Sequence, residues 1–231
     1  NDIEDFRHIG INFENSANAI VNYNHLVVGE QPYQQDWGTP NTGIFNPASN
    51  QFAQVNDNDI ELDGTYGYGE AVRGIIVHDS EVIGNTVSVN VTGNDNYTNG
   101  IGIHADRSTI KENSIWVDDD RECCHFTSDV QWYRYHGRGV GILSMGDGAP
   151  RHEISNNTID ANRQSNAIWA SYADIENNQM ISSDNNNYDY AILSGNDNVS
   201  LIRLNVITSP NLSLCQMLQY PISLRQYALV R

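Results

Sequence analysis

Two histidines and two aspartates offer the best acid–base chemistry in this chain. His78 lies directly before Asp79, and His104 lies two residues before Asp106. Each pair follows a short apolar phrase, Gly74-Ile75-Ile76-Val77 or Gly100-Ile101-Gly102-Ile103. Imidazole titrates near neutral pH, so two imidazoles beside carboxylates can supply a general base and a general acid. Arg73 and Arg138 stand two residues before Ile75 and Val140, and a planar guanidinium suits a uronate carboxylate. His78, His104, Arg73 and Arg138 are therefore the candidate catalytic set. The chemistry they fit is β-elimination or epimerisation at C5 of a uronic acid. That reaction needs a base for the C5 proton, a cation or metal on the carboxylate, and an acid for the leaving oxygen. A histidine ladder that only caps a strand and pairs with Asp79 and Asp106 is the alternative. The same two aspartates are candidate metal ligands, with calcium as the candidate ion.

Aromatic side chains supply the candidate substrate contacts. Trp37, Tyr66, Trp132 and Tyr135 can stack on sugar rings, with Arg134 for anionic substituents. Trp132 and Tyr135 can equally pin their loop to the protein wall. Asp118, Asp119 and Asp120 read as a solvated acidic turn, with calcium binding as the other possibility. Cys123-Cys124-His125 lacks the paired spacing of a structural zinc site. No nucleophile elbow, phosphate-cradling loop, HExxH or dinucleotide fingerprint is present.

A repeat has to position these residues. Its phrase is an apolar residue, two positions, Asn, one position, another apolar residue. It occurs as Val55-x-x-Asn58-x-Ile60, Val82-x-x-Asn85-x-Val87 and Ile110-x-x-Asn113-x-Ile115. It returns as Ile154-x-x-Asn157-x-Ile159, Ile175-x-x-Asn178-x-Met180 and Ile202-x-x-Asn205-x-Ile207. The anchors are 27, 28, 44, 21 and 27 residues apart. A unit that short cannot bury its own apolar face and must stack on copies of itself. Asn tolerates turns, and its stacked amides can satisfy one another.

Upstream of each anchor lies a second short strand. Its reference residues are Ile20, Ile75, Ile101, Val140, Ile168 and Ile192. Three positions later stand Tyr23, His78, His104, Leu143, Ser171 and Gly195. Read as a column, this makes His78 and His104 stacked neighbours on one sheet. Five residues after the anchors, Asp63, Asn90, Asp118, Asn162 and Ser183 form a polar column that turn geometry explains. Phe6-x-x-Ile9-x-Ile11 reads as an early coil with Ile in place of Asn.

The G-I-x-I and I-x-x-N-x-I phrases resemble the right-handed parallel β-helix repeat of the pectin-lyase-like superfamily. The resemblance implies an all-β, single-stranded right-handed solenoid of about six to seven coils. It spans residues 1–208, with insertions at 29–51 and 118–138, and leaves 209–231 as a cap or irregular tail. The superfamily includes polysaccharide lyases, hydrolases and epimerases, and also tailspikes and surface proteins. Hydrolases of the polygalacturonase type expect clustered aspartates on the strand face, and the columns hold no such cluster. The lysine base of several β-helix lyases has only Lys111 to fill it, and Lys111 sits beside the Asn ladder. The expected function is thus lyase or epimerase action on an acidic polysaccharide. A non-catalytic carbohydrate-binding or structural surface module is the alternative.

Composition narrows the partners. The formal net charge is −17, with Lys111 the one lysine. Such acidity argues against nucleic acid or an anionic membrane surface as partner. It fits adaptation to high salt or ordinary secreted-protein acidity. No run is long enough to cross a membrane, and no signal peptide opens the chain. Five sequons, at Asn90, Asn96, Asn156, Asn198 and Asn211, fit a secreted or cell-surface protein.

Overall fold

The computed structural model describes residues 1–6, 8–14, 16–29, 42–48, 51–65, 72–92, 100–119, 139–145, 151–162, 165–181, 191–194, 201–208 and 229–230. Three parallel sheets of nine, seven and seven strands run through these residues. The first sheet stacks Asp2–Glu4, His25–Val28, Asp59–Thr65, Thr86–Thr92, Ser114–Asp119, Thr158–Asn162, Gln179–Ile181, Val206–Thr208 and Leu229–Val230. The second stacks Ile9–Asn12, Thr42–Asn46, Val72–His78, Gly100–Asp106, Val140–Ser144, Asn166–Ala170 and Ile192–Ser194. The third stacks Ala19–Asn22, Ala53–Asn56, Glu81–Ile83, Thr109–Lys111, His152–Ser155, Ala173–Glu176 and Leu201–Arg203. The chain visits second, third and first sheet in turn and pairs each strand with its copy one coil away. This is a parallel β-helix.

The repeat phrase explains the corner between the third and first sheets. Its first apolar residue (Val82, Ile110, Ile154) ends on the third sheet, and its second (Val87, Ile115, Ile159) starts the first. Both point into one core and are essentially buried. Between them the chain turns in two residues. The first adopts a left-handed conformation, as at Asp57, Gly84, Glu112, Asn156 and Asn177. The second is the buried Asn. Oδ1 of Asn113 accepts from the backbone N–H of Asn85 (2.9 Å) and from its Nδ2 (3.0 Å). Nδ2 of Asn113 donates to the Val82 carbonyl and to Oδ1 of Asn157, both at 2.9 Å. An amide carries one acceptor able to take two bonds and two donors, which is what each rung uses.

The ladder also has a seventh rung. Asn24 donates to Oδ1 of Asn58 through its backbone N–H (3.0 Å) and Nδ2 (2.8 Å). Val21-x-x-Asn24-x-Leu26 obeys the repeat phrase, so Ala19–Asn22 belongs to the third sheet. Ile20 pairs with Gln54 there and is not a member of the Ile75 column. Conversely Ile9–Asn12 lies on the second sheet, so Phe6-x-x-Ile9-x-Ile11 is not an anchor.

Two boundaries shift as well. Thr42–Asn46, inside the expected 29–51 insertion, is a strand paired with Ile9–Asn12 and Val72–His78. Asp118 and Asp119 end the strand Ser114–Asp119 rather than forming a turn. Asp63, Asn90, Asp118 and Asn162 of the polar column sit on strands, and Ser183 lies outside the described residues. Asn90 pairs with Asp63 and Asp118, Asp118 pairs with Asn162, and Nδ2 of Asn90 donates to Oδ1 of Asp63 (2.9 Å). Residues 209–228 and 231 of the expected cap lie outside the described residues.

A column of glycines with no room for a Cβ runs along the second sheet and fixes its register. A Cβ on Gly102 would lie 2.5 Å from Cγ2 of Ile115 and 2.7 Å from the Gly141 carbonyl. Gly10, Gly43, Gly74 and Gly141 meet similar walls, and Ala167 continues the column. At these five glycines a Cβ would collide with the core and the next coil, whereas one coil further on Ala167 carries one.

Candidate functional site

The glycine column decides where the histidines fall. Gly74-Ile75 must align with Gly102-Ile103, and indeed Ile75 pairs with Ile103, Ile76 with His104, and His78 with Asp106. The column expectation is therefore off by two residues at this step. His104 shares its rung with Ile76 and Leu143 instead of His78. A shift of two preserves the face, because side chains alternate with period two. Ile75, Val77, Ile103 and Ala105 enter the core, so His78, His104 and Asp106 face outward.

The diagonal placement still brings the imidazoles together. Their ring centroids are 5.9 Å apart, edge to face at 63°. Asp106 lies between them. Its Oδ2 is 3.3 Å from Nδ1 of His78, and its Oδ1 is 3.6 Å from Nε2 of His104. Oδ1 also accepts from the backbone N–H of Met145 at 2.7 Å. Side-chain exposures of 17–20% leave the cluster reachable yet partly desolvated. Nδ1 of His104 is buried with no hydrogen-bond partner among the described residues, an arrangement that calls for a functional or structural reason.

Burial lowers the His78 imidazole below its ordinary value, against the raising effect of Asp106. Burial alone would raise the Asp106 carboxyl, but the contact with His104 and the Met145 N–H, with both imidazole charges, hold it below its ordinary value. At neutral pH the site therefore pairs an ionised carboxylate with a neutral His78. In neutral His78, Nδ1–H turned to Asp106 leaves Nε2 with the lone pair.

Asp79 is not a stacked partner of Asp106. It sits in the turn after the strand with φ 51°, and Arg107, φ 50°, takes the same place one coil on. The guanidinium of Arg107 holds Asp79 through two bonds of 2.7 Å each. The two carboxylates expected to bind calcium are thus engaged separately by protein donors. No group of three or more His, Cys, Asp or Glu among the described residues is arranged to hold a metal. Arg73 lies five residues before His78 on the strand Val72–His78, about 16 Å away along an extended chain. It cannot share one sugar unit's reacting centre with His78. Arg138, Trp37, Tyr66, Trp132, Arg134, Tyr135 and the Cys123-Cys124-His125 run lie outside the described residues.

Sequence reasoning missed His152. It is 1% exposed, on the rung above Ser108. Its Nε2 accepts from the backbone N–H of Arg107 (3.1 Å), and its Nδ1 meets Oγ of Ser144 (2.6 Å). A signal existed. Two residues before the first apolar residue of each phrase stand Ala19, Ala53, Ser80, Ser108, His152, Ala173 and Ser200. Ser80 and Ser108 form a small ladder there, Ser80 N–H donating to Oγ of Ser108 (3.1 Å). His152 is the one large residue in that otherwise small column.

Burial lowers the His152 imidazole too. Stability should then depend on pH with a defined sign. The unfolded chain takes up protons as pH falls through the ordinary histidine value of 6.5, while folded His78 and His152 resist. Their contribution is complete above that value and is lost as pH falls toward the depressed folded values. Urea midpoints measured from pH 8 to pH 5 should fall, and His152→Gln should flatten the slope relative to the parent. An equal slope in both proteins would contradict the assignment.

No protein-family model, no curated protein and no solved structure matches this chain. The geometry of the cluster therefore carries the functional argument.

Proposed function

We propose that this chain is a right-handed, pectin-lyase-like β-helix of about seven coils that acts on an acidic, uronate-containing polysaccharide. The reaction class is proton transfer at C5, by lyase or epimerase chemistry. The observation that carries the reading is the pair of imidazoles sharing the Asp106 carboxylate on the outer face of the second sheet. His78, neutral and oriented through Nδ1, takes the C5 proton on Nε2. In elimination the C4–O bond then breaks, a C4=C5 double bond forms, and an acid protonates the departing oxygen. His104 is placed for that second role. In epimerisation the same acid returns a proton to the opposite face of C5. Arg73, far along the strand from His78, is left to hold the carboxylate of a neighbouring sugar unit. The acidic surface suits secretion into a medium where salt screens its repulsion.

Incubation with a panel of acidic polysaccharides tests this. Ultraviolet absorbance of an unsaturated uronate is expected for a lyase, and inverted C5 protons in sugar NMR spectra for an epimerase. Neither signal on any polymer would overturn the reading.

A second reading has its own observation. Phe45, Ile76, His104, Leu143 and Trp169 share one row on the outer face of the second sheet, one per coil, with Ile76 buried within the row. An apolar and aromatic track of this kind can bind a sugar chain with no chemistry at all. Sugar binding without turnover would favour it.

A further inference from the structure

Asp106 sits on the outer face, but its backbone is gripped from the inner side. Oγ of Ser144 donates to the carbonyl of Ala105, the residue before it (2.7 Å). Since that donation uses the only hydroxyl proton, the 2.6 Å contact to His152 must carry the proton on Nδ1. Nε2 of His152, left with its lone pair, accepts from the N–H of Arg107, the residue after Asp106 (3.1 Å). One buried relay thus holds both peptide groups that flank the carboxylate. The residue next to Ser144, Met145, holds the carboxylate itself through its N–H.

We infer that Ser144 and His152 are positioning residues that bracket Asp106 from the core and so fix the carboxylate between His78 and His104. The inference rests on the proposed role of that cluster in proton transfer. It goes beyond that role, because neither Ser144 nor His152 touches the outer face. Ser144 is not a nucleophile here. Its proton belongs to the Ala105 carbonyl, and His152 presents it a donor rather than a base. The bracket occurs where the serine ladder stops. Ser108 offers the previous coil a hydroxyl, whereas on the next coil the larger imidazole reaches past the Ser108 position to Arg107.

Imidazole NMR on the full chain tests the bracket without substrate. His152 should appear as the Nδ1–H tautomer at neutral pH, the less common form in peptides. An Nε2–H tautomer or an imidazolium would overturn the inference. In His152→Phe the Arg107 amide should exchange at least about tenfold faster. The His78 titration should also move to lower pH, because a displaced Asp106 no longer favours its charged form. His152→Gln places an amide oxygen near the Nε2 position and should restore both readouts toward the parent. An unchanged His78 midpoint in folded His152→Phe would overturn the inference. If that variant does not fold, Ser144→Ala serves instead, and an unmoved His78 midpoint there has the same meaning. With an active polymer in hand, His152→Phe should lower kcat with little change in KM. Absence of turnover in the parent, with the NMR results as expected, would overturn the reaction and leave the bracket standing.

Discussion

Asn113→Ala should destabilise the protein by about 4 kcal/mol, or roughly 10 °C in thermal midpoint. The size follows from which partners are stranded. The backbone N–H of Asn85 loses its acceptor at a fully buried position. The Val82 carbonyl loses a donor at the same corner. Oδ1 of Asn157 keeps the backbone N–H of Asn113 at 3.0 Å, so that side suffers less. A buried unpaired amide costs about 1–3 kcal/mol, and the cavity left by the side chain adds to it. Asn113→Asp should be no better at neutral pH. It keeps the acceptor but turns an oxygen toward the Val82 carbonyl and Oδ1 of Asn157, where the amide had donated. Ser114→Ala, exposed beside the same turn, should change stability by less than about 0.5 kcal/mol. Solenoids can unfold in parts, so amide exchange at Asn85 should accompany the melting curve. Parent-like exchange at Asn85 in Asn113→Ala would refute the rung-by-rung account.

The second large effect is on turnover. With both histidines replaced, His78→Ala and His104→Ala, turnover should fall by about two to four orders of magnitude, the range for removing positioned acid–base catalysis. The single variants should each lose nearly as much, since groups that act as a unit are not additive. The fold should survive because both side chains leave the sheet on its outer face. Ile75, Val77, Ile103 and Ala105 carry the core on the inner face of the same strands, at 0% exposure. Asp106→Asn should lower turnover while also shifting the pH profile, since an amide carries no charge to favour the protonated imidazole. Unchanged turnover in the double variant with a normal melting curve would end the assignment. It would leave the aromatic track, not the imidazoles, as the functional surface.

Much of the architecture was legible because it is written in short range. The apolar-x-x-Asn-x-apolar phrase encodes a complete corner, with one residue on each sheet and the amide between them. Val21-x-x-Asn24-x-Leu26 obeys it too, and its oversight misplaced Ile20. The outward direction of His104 was also legible, because alternation along a strand survives any slip of two. The register itself was ambiguous. Gly100-Ile101-Gly102-Ile103 contains the Gly-Ile pair twice, two residues apart, and sequence offers no reason to choose the second.

The amino-acid sequence alone thus determined a stacked β coil with an asparagine ladder and one polar, histidine-bearing strand face. Tertiary structure decided which groups meet on that face. The choice of Gly102 over Gly100 comes from Ile115 and Gly141, on another sheet and another coil, which leave no room for a Cβ. That choice sets His78 beside Asp106 and separates Asp79 into a pair with Arg107. The bracket of Ser144 and His152 was likewise invisible, since it joins Arg107 to a residue 45 positions away through a backbone N–H. Backbone groups carry no sequence signature, so a side chain that serves them can be found only once the coils are stacked.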